Sequence, residues 1–401
     1  MNSLLILSPQ LSPRLQYVCE VIFKNILSLD FDITTDTAKY QNHQGLKLRY
    51  LPQSQIVFED NIHPQDENQI LNDKVALAFY LLSNYEEYLP DCPRDQHQRI
   101  VHEKSFVVRH HLEKTPTVHN IALKYKELLS KQQADFQWRK SQYRFLPTFD
   151  VDIAYAYKGK SFFHFCGALA KACLCFHKSQ IKNILQARHH DDFDDPYDGY
   201  DQEKELCERN HLKPIYFMLT SRRTRYDRNI SPKSAHFSAL IDKLKSFSTI
   251  GLHTSYYSNN QEDIIYQKNK LEKISGLKVN YSRQHFLKEK MPETFQNLIS
   301  AGISDDFSLG FYDRIGFRNG MALPYPFFDL SQNKTTTLTI HPLLFMDSAA
   351  FSGDITFEQY ENNLNELLAE VKKVGGEMVA LWHNNFMPQG SQKWEIFLSS
   401  F

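Results

Sequence analysis

Ionisable side chains gather at the ends of several predicted strands in the second half of the chain. Asp150 and Asp152 end one apolar run, and side chains two residues apart on a strand point to the same side, so the two carboxylates should converge. Two neighbouring carboxylates repel each other unless a cation or a shared proton offsets them. The pair therefore indicates a metal ligand beside a general base, with a solvated strand end as the alternative.

Three later segments place imidazole and guanidinium groups at comparable positions. His253 ends one apolar run, Arg283 and His285 lie two positions apart on the next, and His383 ends the last. Neutral imidazole is a common metal ligand, and an arginine beside Asp150 would keep that carboxylate ionised. A histidine with a pKa near neutrality could protonate a leaving amine. Taken singly, each histidine could equally be a hydrogen-bonded core residue.

Four further residues are candidates for substrate binding. Asp306 and Arg318 lie in a stretch that runs from a predicted strand into a glycine-punctuated loop, and Trp382 and Asn384 flank His383. The glycines of this loop are typical of turn geometry. They do not form a phosphate-binding loop, because the GxxxxGK spacing and the Ser or Thr that follows it are missing.

The elements that must position these residues follow an alternating pattern. From about residue 142, short apolar runs alternate with helical segments, which is typical of βαβ units. We predict an α/β fold, in which residues 141–401 form a distorted (β/α)7-type barrel with its active site at the carboxyl ends of the strands. The seven strands are predicted at 144–151, 214–219, 249–253, 279–286, 303–309, 335–341 and 377–383.

The first 140 residues predict a smaller α/β domain, whose role the sequence does not indicate. Its boundary falls in the hydrophilic stretch near 135–142. Strands are predicted at 3–7, 46–51 and 55–58, and helices at 14–27, 67–88 and 117–132. In the barrel, the longest apolar helix is predicted at 160–186.

Composition excludes several classes of protein. The 401 residues carry 46 Lys+Arg against 47 Asp+Glu, so no global field favours nucleic acid. Six cysteines without a CxxC pair predict reduced thiols. The first residues lack the basic region of a secretory signal, and the apolar stretch 162–176 is shorter than the roughly 20 residues that span a bilayer. We expect a cytoplasmic protein without a transmembrane segment, with peripheral association at the inner membrane as an option.

Jointly, the order of these segments resembles the five motifs of the polysaccharide deacetylase family (NodB homology, carbohydrate esterase family 4). The wording is most similar to a Bacteroidetes-type branch that carries an extra N-terminal domain. The segments that carry this resemblance are Thr148-Phe-Asp-Val-Asp152, Gly251-Leu-His-Thr-Ser255, Ser282-Arg-Gln-His-Phe286, Gly316-Phe-Arg-Asn-Gly320 and Leu381-Trp-His-Asn-Asn385.

The resemblance implies hydrolysis of N-acetyl groups on an amino-sugar glycan or glycolipid, with one divalent metal and its bound water. Zn²⁺ is the expected metal, and Co²⁺, Ni²⁺ or Mn²⁺ are options. By position, Asp150 matches the family's catalytic base and Asp152 its metal carboxylate. His253 matches the first histidine ligand, Arg283 the arginine that pairs with the base, and His383 the general acid.

One departure bears on the metal site. The family has a second histidine ligand four residues after the first, and Tyr257 occupies that position here. We expect His285 to replace it, as an inference from strand geometry that the resemblance does not supply. Two alternatives stay open: a non-catalytic glycan-binding protein on the same barrel, and an amidase that acts on another acyl group. The oligomeric state is open as well.

Overall fold

The computed structural model is mixed α/β, as the sequence predicts. It describes residues 3–133, 141–190, 193–258, 260–351, 356–385 and 397, so most of the predicted boundary at 135–142 lies outside the described residues. The chain forms two compact units. Unit 1 comprises Met1–Arg144, Leu287–Ile299 and Ser304–Met378, and unit 2 comprises Phe145–Phe286, Ser300–Ile303 and Val379–Phe401. Unit 1 thus adds later segments to the predicted N-terminal domain.

The N-terminal part of the chain contains three strands and six helices among its described residues. They are β1 (Leu4–Leu7), α1 (Pro13–Cys19), β2 (Phe31–Thr34), α2 (Thr37–Asn42), β3 (Leu46–Arg49), α3 (Glu67–Asn72), α4 (Lys74–Leu82), α5 (Phe106–Arg109) and α6 (Thr117–Ser130). A π-helical segment, Glu20–Ile26, continues α1.

The middle part alternates strands with helices. Its elements are β4 (Arg144–Val151), α7 (Phe162–Leu174), α8 (Lys178–His189), α9 (Tyr200–Arg209), β5 (Ile215–Leu219), α10 (Ala235–Leu244), β6 (Thr249–Thr254), α11 (Gln261–Ser275) and β7 (Tyr281–Gln284). The helix ends carry ordinary caps: the Asn260 side chain accepts from the backbone of Asp263 at the start of α11, and Gly276 ends it in the left-handed region.

The C-terminal part adds α12 (Glu293–Ser300), β8 (Asp305–Asp306), β9 (Tyr325–Asp329), β10 (Lys334–Ile340), β11 (Leu343–Met346), α13 (Asp347–Ala350), α14 (Phe357–Val374) and β12 (Glu377–His383). Helix α14 begins with a capping box between Thr356 and Gln359. Among the described residues, no helix is both long enough and apolar enough to cross a membrane.

Unit 1 contains a three-stranded parallel sheet in the order β2-β1-β3. The central strand, with the sequence Leu-Leu-Ile-Leu, is buried throughout, as a parallel strand with both faces covered should be. Helix α4 is buried from Val75 to Leu82, and the Asp73 side chain caps its first turn. The same Asp73 carboxylate accepts a 2.8 Å hydrogen bond from the Tyr50 hydroxyl.

Unit 2 contains neighbouring strands in the order β12-β4-β5-β6-β7. Strands β4 to β7 pair in parallel, so their carboxyl ends share one edge of the sheet. These strands are almost entirely buried, which matches their apolar sequences. Five of the seven predicted barrel strands therefore lie side by side in this unit, and the other two correspond to β8 and β10 of unit 1.

Several predicted elements are wrong in detail. The predicted helix at 67–88 is interrupted at Asp73, whose backbone is extended, and α4 ends at Leu82. The predicted strand at 303–309 is reduced to Asp305–Asp306. Residues 55–58 form a turn instead of a strand, because the backbone amides of Phe58 and Glu59 both donate to the carbonyl of Gln55. The predicted helix at 160–186 is interrupted: α7 ends at Leu174, and Phe176 lies in the left-handed region (φ 53°) before α8 begins. Strand β2 was not predicted, because Phe-Asp-Ile-Thr is not a continuous apolar run. In the structure this strand is only partly buried.

Candidate metal and catalytic site

The parallel strands of unit 2 bring most of the predicted site residues to one edge of the sheet. Asp150 lies near the end of β4 and Asp152 directly follows it, while His253 lies on β6. His253 pairs in register with Arg283 of β7, and His285 comes directly after β7. Since parallel strands share the direction of their carboxyl ends, residues far apart in sequence meet here.

Asp152, His253 and His285 form a cluster with converging ligand atoms, which we call the ligand triad. Oδ1 of Asp152 lies 3.0 Å from Nε2 of His253 and 3.5 Å from Nε2 of His285. The potential ligand atoms of the three residues all lie within 4.8 Å of one another. Oδ1 of Asp152 is buried and accepts no hydrogen bond of ordinary geometry from the described residues. An acceptor in this position favours a cation.

The second nitrogen of each histidine is already engaged. Nδ1 of His253 lies 2.9 Å from the backbone carbonyl of Arg283, and Nδ1 of His285 lies 2.9 Å from Oδ1 of Asp227. A carbonyl or a carboxylate oxygen can only accept, so both Nδ1 atoms carry the hydrogen. In the neutral form, Nε2 of each ring is then the available ligand atom, which is how outer partners orient histidines at metal sites.

Asp227 is a functional candidate that the sequence reasoning missed. It lies in the loop between β5 and α10, and its side chain is buried. Besides contacting His285, it accepts hydrogen bonds from the Ser255 hydroxyl at 2.7 Å and from the backbone amide of Tyr256 at 3.0 Å. The only sequence signal was an aspartate that follows the carboxyl end of a predicted strand.

The charges of the cluster depend strongly on one another. Burial alone raises the pKa of Asp152, but the neighbouring His285 and His253 outweigh it and hold that pKa well below its usual range. Burial lowers the pKa of His285, but Asp152 and Asp227 reverse the effect and raise it to about 9. The carboxylates thus favour a positive charge between them, supplied by a proton in this state and by a divalent ion if one binds.

Asp150 is held by a buried arginine. Nη1 of Arg283 donates to Oδ1 of Asp150 at 3.1 Å and to Oγ1 of Thr148 at 2.8 Å. The Arg283 side chain is fully buried, and Oδ2 of Asp150 lies 3.6 Å from Nε2 of His253. The paired guanidinium holds the Asp150 carboxylate in place beside the ligand triad, where a general base would act.

Gly251 affects the position of Arg283 indirectly, through the ring of Phe217. A Cβ atom on Gly251 would lie 2.6 Å from ring atoms of Phe217, so only glycine fits beside that ring. The guanidinium of Arg283 in turn lies over the Phe217 ring, 4.5 Å from its centroid. The position of Arg283, and through it that of Asp150, therefore depends on the absence of a side chain at residue 251.

His383 lies at the end of β12 and is partly exposed. Its Nε2 atom is 3.9 Å from Oδ2 of Asp152. The nearest contacts of His253 and His285 are with the other oxygen, Oδ1. The next residue, Asn384, donates through Nδ2 to the carbonyl of Ile153 at 3.0 Å and to the Tyr200 hydroxyl at 3.1 Å. These bonds fasten the end of β12 to the segment that follows β4.

The four predicted substrate-binding residues are placed differently from one another. Trp382 is fully buried, with its ring edge-on to Phe397. Asp306 and Arg318 belong to unit 1, where Asp306 is fully buried and the Arg318 side chain is 9% exposed. Arg318 donates to Glu87, Glu289 and the carbonyl of Gly310. Their roles toward substrate, like that of Asn384, stay predictions.

Tyr257, which occupies the position of the family's second histidine, is not part of the ligand triad. Its side chain is 44% exposed, and its ring lies against Tyr226 and Tyr256 at centroid distances of 6.1 and 5.0 Å. After His285 the chain turns sharply through Phe286, which adopts a left-handed conformation (φ 64°) and packs on the same two tyrosines. The turn ends the strand directly after the imidazole.

The donor set fits a small divalent cation. One carboxylate oxygen and two imidazole nitrogens match the ligand preferences of zinc, and imidazole also suits related transition metals. The orphaned oxygen of Asp152 and the fixed tautomers of both histidines are the observations that support this fit.

Comparison with known proteins gives one family model and several solved structures. A family of unknown function, DUF7033, matches residues 4–66 and 52–134. No curated protein matches the chain.

Several solved structures resemble it at low identity. A protein described as a polysaccharide deacetylase from Mycobacterium smegmatis is 14% identical, with 66% of this chain and 85% of that chain covered and a TM-score of 0.43. A polysaccharide deacetylase from Bacillus cereus is 11% identical, covering 65% and 87%, with a TM-score of 0.30. A family 4 acetyl xylan esterase from Clostridium thermocellum, in complex with a cobalt ion, is 13% identical, covering 64% and 84%, with a TM-score of 0.29.

Proposed function

We propose that the chain is a metal-dependent hydrolase that removes N-acetyl groups from an amino-sugar glycan. The observation that carries the proposal is the ligand triad, in which Oδ1 of Asp152 faces Nε2 of both His253 and His285 while each Nδ1 is held by an acceptor. The order of the five sequence motifs supplies the reaction class and the kind of substrate. Closure of the strands into a seven-stranded barrel is part of the same proposal.

Asp152, His253 and His285 would hold the ion. A divalent ion there would supply a Lewis acid for the amide carbonyl and for a water molecule. Asp150, which is paired with Arg283, accepts the proton of the attacking water. His383, which lies close to Asp152 at the partly exposed end of β12, donates a proton to the departing amine. A general acid is needed because an unprotonated amine is a very poor leaving group, and such proton transfers contribute roughly 10² to 10⁴ in rate.

The assignment of His285 is tested by metal analysis. The wild-type protein, equilibrated with Zn²⁺, Co²⁺ or Ni²⁺ and then desalted, should hold about one ion per chain, whereas His285→Ala should hold far less. Tyr257→Phe is the matched control, since it changes the residue at the family's usual ligand position and should leave the metal content unchanged. Full metal retention by His285→Ala would remove His285 from the ligand set.

The reaction is tested by measuring acetate release from N-acetylglucosamine oligomers. Release should stop after chelation and return when the metal is restored. Formylated oligomers tested in parallel decide between an acetyl and another acyl group. Metal-independent sugar binding without acetate release, measured by calorimetry with and without chelator, would contradict the hydrolase and support the non-catalytic alternative.

A further inference from the structure

Unit 2 contains a cavity that the proposed reaction does not use. Its volume is ≈ 880 Å³, within the range of small-molecule sites and far larger than a single phosphate group needs. The cavity is lined by the segment after β4, by helices α7 and α8, and by the loop that leads into α10. Its lining begins at Ile153, the residue directly after Asp152 of the ligand triad.

The lining is strongly cationic. It includes six lysine and arginine residues and no aspartate or glutamate: Lys160, Lys171, Arg188, Arg223, Arg228 and Lys233. Within the part of the chain that the structure describes, none of the six has a carboxylate oxygen within 4.0 Å. Burial and the neighbouring Arg223 lower the pKa of Lys160 to about 8. So many cations in one concavity repel one another, and an anion would relieve that repulsion.

The cavity lining also includes apolar residues, which alternate on α7 and α8 with the cations Lys171 and Arg188. Helices α7 and α8 contribute Phe165, Gly167, Ala168, Ile184 and Ala187 to the lining. The same pair of helices exposes large apolar side chains to solvent: Phe162 is 59%, Leu174 80% and, just beyond α7, Phe176 86% exposed. Exposed aromatic and aliphatic side chains on a helix that lines a cavity favour a ligand with a hydrocarbon part.

The wall nearest the ligand triad is held in place by buried hydrogen bonds. The buried carboxylate of Asp195 accepts from the backbone amides of Ala156, Tyr157 and Lys158 at 2.7 to 2.9 Å. Asn229 donates to the carbonyl of Val151 and accepts from the amide of Ala154. The cavity wall is thus fastened directly to the end of β4, which positions the catalytic carboxylates.

We propose that this cavity binds the phosphate and the first part of the hydrocarbon chain of a lipid-linked glycan. The inference rests on the proposed function, since the ligand triad would act on the sugar. A molecule that combines a sugar, an anion and a hydrocarbon matches three features of this unit: the ligand triad, the cations of the cavity lining, and the apolar side chains of α7 and α8. Charge complementarity selects a phosphate ester or diphosphate, because guanidinium and ammonium groups both bind phosphate oxygens.

Binding can be measured without any catalysis. Calorimetry with farnesyl phosphate and farnesyl diphosphate should show binding to the full chain, and the double variant Lys171→Glu/Lys233→Glu should weaken it at least tenfold. Lys182→Glu is the matched control, because Lys182 is an exposed lysine of α8 outside the cavity lining. Equal binding by the wild type and the double variant would overturn the proposal.

Kinetics distinguish the sources of the phosphate. N-acetylglucosaminyl farnesyl diphosphate should have a KM at least tenfold below those of UDP-N-acetylglucosamine and the neutral oligomer, and the double variant should remove that preference. If UDP-N-acetylglucosamine has the same KM as the lipid-linked substrate, the hydrocarbon part of the proposal is overturned. If phosphatidylglycerol vesicles bind as tightly as farnesyl phosphate, the cavity and the exposed side chains of α7 bind a membrane surface instead. Farnesyl phosphate binding without acetate release from any substrate would refute the hydrolase but support the cavity assignment.

Discussion

Two buried ionic clusters, one in each unit, differ in how their charges are satisfied. In unit 1, the arginine cluster of Glu87, Arg318 and Glu289 surrounds one guanidinium, which donates to both carboxylates and to the carbonyl of Gly310. Burial raises the pKa of Glu289 to about 8, although Arg318 opposes the shift. In unit 2, the ligand triad instead aims a carboxylate oxygen and two imidazole nitrogens at one another.

The difference shows which buried polar groups are candidates for chemistry. The arginine cluster contains its own cation, so its attractions are satisfied by the chain and it contributes to the fold. The ligand triad consists of groups that all offer lone pairs once His285 is neutral, so a cation from outside completes it. Both clusters consist of polar, ionisable side chains. They differ in whether the chain itself supplies the cation.

The largest expected effect concerns Asp150, which lies beside the triad. Asp150→Asn removes the proposed base and should reduce kcat by roughly 10² to 10⁴. Metal content should stay near the wild-type level, because the ligand atoms belong to other residues. Acetate release and metal analysis on the same preparation check both parts, and an active Asp150→Asn enzyme would refute the assignment.

A substitution of Arg318 tests whether the arginine cluster stabilises the fold. Arg318→Leu leaves the buried Glu87 and Glu289 side chains without their cation, and removing one partner of a buried ion pair typically costs about 3–5 kcal/mol, so the free energy of unfolding should fall by that amount. Urea denaturation measures it. Lys24→Ala is the control, because Lys24 and Glu20 form an exposed pair that should contribute only about 0–1 kcal/mol. A change in metal affinity without loss of stability would reverse the roles assigned to the two clusters.

Glu203 is a buried carboxyl group outside both clusters. It accepts a hydrogen bond but has no ion-pair partner among the described residues. The Tyr216 hydroxyl donates to Oε2 at 2.6 Å, and burial raises the pKa of Glu203 to about 7. The folded state therefore binds this proton more tightly than the unfolded state, so the contribution to stability is complete below about pH 4.5 and is lost as the pH rises to about 7. The loss amounts to about 3 kcal/mol for a shift of this size.

Glu203→Gln should abolish this part of the pH dependence, since the amide keeps an acceptor for Tyr216 but does not ionise. Chemical denaturation between pH 4.5 and pH 8 measures the effect. Glu205→Gln, an exposed position on the same helix, is the control and should follow the wild-type profile. Parallel profiles for the wild type and Glu203→Gln would contradict the pKa assignment.

The smallest expected effect concerns the outer partner of the triad. Asp227→Asn keeps an acceptor near Nδ1 of His285 but removes the negative charge, and changes of this kind typically lower metal affinity by about 10- to 100-fold. Competition with a chromogenic chelator measures the affinity. Asp198→Asn is the control, because Asp198 pairs with Lys158 away from the triad. An unchanged affinity would mean that Asp227 only holds the loop.

The sequence predicts the triad better than it predicts its supports. His285 could be anticipated because residues two apart on a strand share a face and Arg283 was already placed beside Asp150. Asp227 could not, since it reaches His285 from a loop whose course depends on its own hydrogen bonds to Ser255 and Tyr256. Loop geometry of this kind has no periodic signature in the sequence.

The same contrast holds for the fold. Strands β4, β6 and β12 were predicted to within one residue, because buried strands form largely apolar runs. Strand β7 spans 281–284 and is half as long as the predicted 279–286. Residues 55–58 are apolar and buried in part, yet they form a turn, since burial can be achieved by either conformation. The break between α7 and α8 occurs at Phe176, a residue type that gives no sign of a helix end.

Gly251 shows that the accuracy of such a site can depend on a residue without any functional group. One added methyl group at this position would collide with the Phe217 ring and disturb the surface on which Arg283 rests. An inactive variant could therefore arise with every ionisable residue intact and every metal ligand in place. Mutagenesis that targets only acids, bases and metal ligands would not include Gly251. Random libraries screened for turnover should identify it as a position without a functional group at which every substitution lowers activity.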